Sequence, residues 1–189
     1  MNTVDSMNRT LAEHLGRTPH LSPLLRKTRS HGFTTARQLL DLAAARGCFH
    51  YVTTPDGTDR PTDPGRDTLS DVELVIALCS GAQTYDPMLV RCASQLLGTP
   101  GLAPAEVARL ARMERCSAVI QHIALAAIDA DTGHEDFWRA LLERLPERET
   151  PPPAGVLPHR SRFLVQAGLV DPRRPRQRSQ WLRPTVPRT

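Results

Sequence analysis

Apolar residues recur at helical spacing along residues 69–146, in five segments separated by turn-forming residues. At the start of the first segment, Ser70 and Glu73 fit a capping box, and Leu69 with Leu74 fits a hydrophobic staple. The five apolar stripes are Val72, Val75, Ile76 and Cys79; Leu89, Cys92, Ala93 and Leu96; Val107, Leu110 and Ala111; Ile120, Ile123, Ala124 and Ala127; and Trp138, Leu141, Leu142 and Leu145. Such stripes are typical of amphipathic helices, so we predict a mainly α protein, a helical bundle of about five helices.

Capping residues mark where three of the later helices begin. Asp86 precedes Pro87, which suits an N-cap followed by the first helical position. Pro104 opens the third helix, and Thr132 with Glu135 predicts a capping box for the fifth.

Residues 1–53 are predicted as an N-terminal helical segment that ends in a short β element. A weak helical pattern covers residues 7–15, and a firmer one follows Thr35, which forms a second capping box with Gln38. The β element is expected near residue 50, in the stretch 48–54.

Proline-rich stretches define the remaining boundaries. Residues 54–68 are rich in Pro, Asp, Thr and Gly and predict a linker loop. Residues 147–189 predict an irregular, Pro/Arg-rich basic tail, in which only the apolar run 162–170 suits a short strand.

Charge divides the chain unevenly. The net charge of +4 conceals eight arginines and one acid in residues 151–189, against 16 basic and 19 acidic residues in residues 1–150. The two parts therefore carry +7 and −3. This asymmetry points to an anionic partner for the basic end, and the acidic body of the chain itself is one such partner.

The basic tail is the main candidate for a functional surface. Arginines spaced by prolines can pair with phosphates and release counterions, and Trp181 can stack on an exposed base. The predicted nucleic-acid-binding residues are Arg160, Arg162, Arg173, Arg174, Arg176, Arg178, Trp181 and Arg183. We expect a non-enzymatic accessory protein that contacts nucleic acid through this tail. The alternative is a protein-interaction or structural subunit whose tail docks on a protein partner or on another copy of the chain.

The run LSDVELVIALCSG, residues 69–81, resembles the LSDxELLxxLLxxG opening of the helical N-terminal region of the RadC-like family. The stretches that follow, LVRCASQLLGTPGL and APAEVARLARMERCSAVIQHIALAAI, correspond to that family's second helix and its helix-hairpin-helix. The resemblance implies a DNA-associated helical module over residues 69–128.

Two departures limit what the resemblance implies. The family's turn has glycines that let backbone N–H groups approach a DNA phosphate, whereas this chain has Met113-Glu114-Arg115-Cys116-Ser117 there. The negative charge of Glu114 argues against DNA contact at this turn. The family also has a metalloprotease-type C-terminal domain with a His-x-His motif. Since His-x-His does not occur here, we expect neither that domain nor its zinc chemistry.

No catalytic residue, metal ligand or cofactor is predicted. Cys48, His50, Cys116 and His122 lack the short paired spacing of structural zinc sites. We therefore expect reduced structural thiols, and a packed or rim position for His122. The sequence contains no P-loop, Gly-x-Ser-x-Gly or dinucleotide-binding glycine pattern. An enzyme acting through His50 or His122 is a third alternative.

Residues 22–60 allow one further reading, a winged helix whose cationic side chains Arg26, Lys27, Arg29 and Arg37 face DNA. The acid-rich wing argues against it.

The N-terminus has no apolar signal core, and no stretch approaches about 18 apolar residues. We therefore expect a cytoplasmic protein without membrane contact.

Overall fold

The computed structural model describes residues 9–16, 22–48, 67–81, 84–146, 155–167 and 178–185. The protein is a mainly α helical bundle with a short β element, as predicted. The helices are α1 (Leu11–His14), α2 (Pro23–Ser30), α3 (Ala36–Ala45), α4 (Asp71–Cys79), α5 (Pro87–Leu97), α6 (Pro104–Met113), α7 (Ser117–Ala127) and α8 (Glu135–Arg144). A 3₁₀ turn (Arg160–Phe163) leads into strand β1 (Leu164–Ala167), which pairs with β2 (Arg178–Trp181).

The five helices predicted over residues 69–146 are α4 to α8. The Ser70 hydroxyl accepts from the Glu73 backbone N–H at 3.1 Å, and the Glu73 carboxylate accepts from the Ser70 N–H at 2.8 Å. Asp86 caps α5 by accepting from the Met88 N–H at 2.8 Å. Both caps are as predicted. Each accepts hydrogen bonds from backbone N–H groups that the first helical turn leaves without partners.

Helix α4 lies at the centre of the bundle and is not amphipathic. Besides the predicted stripe, Leu74, Ala77 and Leu78 are also buried. Four helices, α2, α3, α5 and α6, pack around α4. The predicted stripe is therefore buried, and the enclosing helices bury the other apolar side chains of α4 as well.

Helix α8 begins differently from the prediction. Its N-cap is His134, which makes no side-chain capping hydrogen bond. The Glu135 carboxylate instead accepts from the Gly133 N–H at 2.8 Å. The predicted Thr132–Glu135 capping box was wrong because the preceding turn, with Gly133 at φ +88°, already places this N–H next to the carboxylate.

Two ion pairs connect the N-terminal helices to α4. The Lys27 ammonium on α2 lies 2.6 Å from the Glu73 carboxylate, and the Arg46 guanidinium lies 3.0 Å from that of Asp71. Leucines of α2 and α3 belong to the same apolar cluster as α4 to α8. The domain boundary predicted at residues 54–68 stays a prediction, since most of that stretch lies outside the described residues.

The observed β element is an antiparallel pair near the C-terminus. Leu164 pairs with Trp181 and Ala167 with Arg178. The strand expected within residues 162–170 is therefore confirmed over β1. The irregular structure predicted for residues 178–181 was wrong, because this segment forms backbone hydrogen bonds with β1. The β element expected near residue 50 lies outside the described residues.

No helix in the described part of the chain could cross a membrane. The longest, α5 and α7, have eleven residues each, whereas a crossing helix needs roughly 20.

Candidate functional site: an arginine groove and a docked C-terminal segment

The structure separates the predicted nucleic-acid-binding residues into different environments. Arg160 and Arg162 are exposed on the 3₁₀ turn before β1. The backbone of Arg178 pairs with Ala167. Arg173, Arg174 and Arg176 lie outside the described residues.

Trp181 is part of the core and cannot stack on an exposed base. Its side chain is 4% exposed and its indole N–H donates to the Ser94 carbonyl at 3.2 Å. The ring packs against Trp138 and Phe163, with centroid distances of 5.5 and 5.8 Å. The predicted role of Trp181 was wrong. Burying the large apolar ring in the core stabilises the fold, and a ring exposed for base stacking would lose that stabilisation.

Arg183 is also docked on the body of the protein. Its guanidinium lies 2.6 Å from the Asp131 carboxylate, which is buried. The other carboxylate oxygen of Asp131 accepts from the Trp138 indole N–H at 2.9 Å. The prediction that Arg183 binds nucleic acid is therefore replaced by a structural role: it neutralises a buried acid of the same chain.

Two backbone contacts continue this docking. The Gln95 amide donates to the Arg183 carbonyl at 2.9 Å, and the Thr185 N–H donates to the Gly47 carbonyl at 3.0 Å. Residues 178–185, which we name the anchor segment, are thus fixed to α5, to Asp131 in the connection between α7 and α8, and to the end of α3. The described part of the basic tail is a component of the fold.

A groove of about 590 Å³ lies beside the 3₁₀ turn. We name it the arginine groove. It is bounded by the start of α5, by α7 and by the segment that leads into β1. Its lining residues are Tyr85, Pro87, Arg91, His122, Gly155, Leu157, Pro158, His159, Arg160 and Arg162.

Hydrogen bonds hold one wall of the arginine groove in place. His122 Nε2 lies 2.8 Å from the Pro158 carbonyl. Since a carbonyl only accepts, the imidazole carries its proton on Nε2 in this contact. His159 Nδ1 lies 2.9 Å from the Ser161 hydroxyl, and the Arg162 N–H donates to the His159 carbonyl at 2.8 Å. His122, half-buried and in edge contact with Phe163, has the rim position predicted for it.

Basic side chains predominate in the lining of the arginine groove, and Asp86 lies next to it in the chain. Three arginines and two histidines line it, and the described lining residues include no Asp or Glu. Burial raises the pKa of Tyr85, and the carboxylate of Asp86 raises it further, against the opposing effect of Arg91. The phenol therefore keeps its proton at neutral pH and can donate a hydrogen bond to an anion.

The sequence indicated only part of this site. Arg160 and Arg162 follow from the charge of the tail, and the rim position of His122 from its apolar helix. Tyr85, Arg91 and His159 were missed, because they come from separate segments whose proximity depends on tertiary packing.

Glu114, in the turn between α6 and α7, is buried against the start of α2. Its side chain is 5% exposed and accepts from the Leu24 N–H, at the start of α2, at 3.3 Å. Arg115 occupies the left-handed region, with φ 56°, where a glycine would be favoured. The Glu114 carboxylate therefore occupies the N-terminus of α2 and not that of α7, and the absence of DNA contact at this turn stays a prediction.

The structure describes all four cationic residues of the winged-helix interpretation, but little of the wing itself. Arg26 and Arg29 are exposed, but Lys27 and Arg37 form ion pairs with Glu73 and Asp41. The wing that the winged-helix reading requires lies almost entirely outside the described residues, as does His50.

All four cysteines lie in the described part of the chain, and all are buried without disulfide bonds. Burial, with a further contribution from Asp86, raises the pKa of Cys92 to about 12. Burial likewise raises the pKa of Cys79 well above its ordinary value. These thiols are protonated at neutral pH and behave as small apolar side chains. No group of three potential metal ligands converges among the described residues.

No family model matches this chain, and no significant match was found among curated proteins or among solved structures. The RadC-like resemblance therefore stays a prediction.

Proposed function

We propose that the protein is a non-enzymatic accessory protein that contacts nucleic acid, and that the arginine groove is where it grips the phosphate backbone. The observation that supports this most directly is that Arg91, Arg160 and Arg162 line one groove whose described lining includes no carboxylate. Arginine guanidinium groups bind phosphates through charge-assisted hydrogen bonds, and three arginines line this groove.

The sequence of the tail adds further positive charge to the same part of the chain. Residues 168–177 connect the paired ends of β1 and β2 and contain Arg173, Arg174 and Arg176 with one acid, Asp171. The paired residues Ala167 and Arg178 bring both ends of this connection together.

The proposed role is binding without catalysis. Each groove histidine already uses a ring nitrogen in a contact that holds the wall, His122 with Pro158 and His159 with Ser161. A histidine committed in this way positions the surrounding backbone, and it has one ring nitrogen fewer for proton transfer.

The salt dependence of binding tests the proposal. Fluorescence anisotropy with a labelled oligonucleotide, over about 50 to 200 mM salt, gives the slope of log K against log salt. The triple variant Arg91→Ala/Arg160→Ala/Arg162→Ala should lower the magnitude of this slope by about 2, since each phosphate contact on a single strand contributes about 0.7.

A matched control removes three arginines elsewhere. Arg26→Ala/Arg29→Ala/Arg37→Ala makes the same change in net charge on α2 and α3, away from the groove, and should leave the slope nearly unchanged. A loss confined to this control would contradict the proposal and favour the winged-helix alternative. Association that ignores salt and appears as a larger species in gel filtration would favour the protein-interaction alternative.

A further inference from the structure

The dimensions of the arginine groove limit what can enter it. Its volume of about 590 Å³ lies within the roughly 300–1,000 Å³ typical of sites for small molecules. A nucleotide unit fits such a space. A base pair inside a duplex does not, because its bases are stacked and their faces are covered by neighbouring pairs.

The lining of the groove combines apolar and cationic groups. Pro87, Leu157 and Pro158 contribute apolar surface, while Arg91, Arg160 and Arg162 contribute positive charge. A ligand held only through its phosphates would not contact the apolar surface. A nucleotide can contact both kinds of group, since it joins a flat, weakly polar base to a charged phosphate.

Tyr85 supplies an aromatic ring at this groove. The side chain is half-buried, and its ring contacts that of His14 at a centroid distance of 5.2 Å and an angle of 54°. Its backbone N–H donates to the Arg9 carbonyl at 3.0 Å. The ring is therefore held by a neighbouring side chain, and a base that stacks on it orders a side chain that already has a packing partner.

The part of the lining contributed by residues 158–162 is also held by contacts within the protein. The contact of His122 with Pro158 and that of His159 with Ser161 hold the backbone next to Arg160. Phe163, directly after these residues, is fully buried. A groove with both walls held in this way selects its ligand by shape as well as by charge.

We infer that the arginine groove accepts an unpaired nucleotide of a single strand, with its base against Tyr85 and its phosphate among Arg91, Arg160 and Arg162. This inference rests on the proposed function and adds a strand preference to it. The protein then binds single-stranded nucleic acid more tightly than duplex of the same length and charge per strand. Stacking of an unpaired base on the Tyr85 ring causes this difference in affinity.

The test compares labelled oligothymidine and oligouridine of about 15 nucleotides with the same strands annealed to their complements, at one salt concentration. The full chain should bind each single strand about tenfold more tightly than its duplex. Tyr85→Leu keeps a side chain of similar apolar bulk and removes the aromatic face, so the single-strand affinity should fall about tenfold while the duplex affinity stays constant. Tyr85→Phe is the matched control and should keep the preference. Circular dichroism establishes that each variant is folded, and if Tyr85→Leu is not, Tyr85→Met replaces it.

The possible outcomes separate this inference from the proposed function. Equal affinity for single strand and duplex, lost in the triple arginine variant, would overturn the strand preference and leave the proposed function standing. A preference that survives Tyr85→Leu would overturn the role given to the ring. Absence of binding to every oligonucleotide would overturn both.

Discussion

The Arg183 guanidinium lies 2.6 Å from the Asp131 carboxylate, across 52 positions of sequence. The Arg183 side chain is 41% exposed, whereas that of Asp131 is only 3% exposed. The carboxylate is thus a buried charge, and one of its principal partners is an arginine from the segment whose charge first suggested nucleic-acid binding. This pair separates two roles within the basic tail: arginines that hold the tail on the body, and arginines that line the groove.

Asp131→Ala should lower the free energy of unfolding by about 2–4 kcal/mol, because it leaves the Trp138 indole N–H and Arg183 without their acceptor. Chemical denaturation followed by tryptophan fluorescence measures this loss. Asp129→Ala is the matched control, an exposed acid two residues away, and should change stability by less than about 0.5 kcal/mol. Equal effects of the two variants would mean that the Arg183–Asp131 pair contributes nothing to the fold.

Gly47→Ala tests the docking of the anchor segment at its far end. Gly47 has φ +99°, and a Cβ atom there would lie 2.5 Å from the Thr185 carbonyl oxygen. Gly133 has φ +88° with no atom within 4 Å of the corresponding position. Alanine is strained at both sites, but only Gly47→Ala also displaces Thr185, so it should cost about 1–3 kcal/mol more than Gly133→Ala.

The added cost of Gly47→Ala should disappear in a chain that ends after Arg183, because Thr185 is then missing. Thermal unfolding of the four combinations forms a double-mutant cycle. If the difference between the two glycine sites persists in the shortened chain, Thr185 is not its cause.

Local sequence signals predicted the helices well, because capping and apolar spacing act over three or four residues. The Ser70–Glu73 box and the Asp86 cap are examples. Helix α4 shows the limit of this reasoning. Its apolar stripe predicted one buried face, but the helices packed on its other sides come from distant parts of the sequence.

Strand β2 and the groove depend on contacts that no local pattern contains. The β2 sequence, Arg-Ser-Gln-Trp, has little intrinsic strand preference, and its pairing with residues 164–167 supplies its hydrogen bonds. The same pairing brings Trp181 into the core. Charge counting found Arg160 and Arg162, but it also selected Arg183, since charge alone does not distinguish an arginine that lines a groove from one that pairs with a buried acid.

Acidification should weaken the link between α2 and α4. Burial alone would raise the pKa of Glu73, but hydrogen bonds from Lys27 and Ser70, together with the charge of Lys27, hold it below its ordinary value of 4.5. A carboxyl group whose folded pKa is lowered contributes stability above its unfolded pKa and loses that contribution as the pH falls through the folded pKa.

Lys27→Met should therefore cost up to about 1 kcal/mol at pH 7, and its difference from the wild type should shrink as the pH falls below about 4.5. Urea denaturation at pH 7, 5, 4 and 3 measures this trend. Arg29→Met, an exposed residue of the same helix, is the control and should show little dependence on pH. A constant difference between Lys27→Met and wild type down to pH 3 would contradict the assignment.

The division of the basic tail into holding and binding arginines is tested most directly by comparing Arg160→Ala with Arg183→Ala, which remove the same charge. Each variant is measured for its free energy of unfolding and for the salt slope of its affinity for a single strand. Arg160→Ala should lower the slope by about 0.7 and change stability by less than about 0.5 kcal/mol. Arg183→Ala should leave the slope unchanged and reduce stability by about 1–3 kcal/mol. The reverse pattern, or equal losses of slope in both variants, would contradict the account.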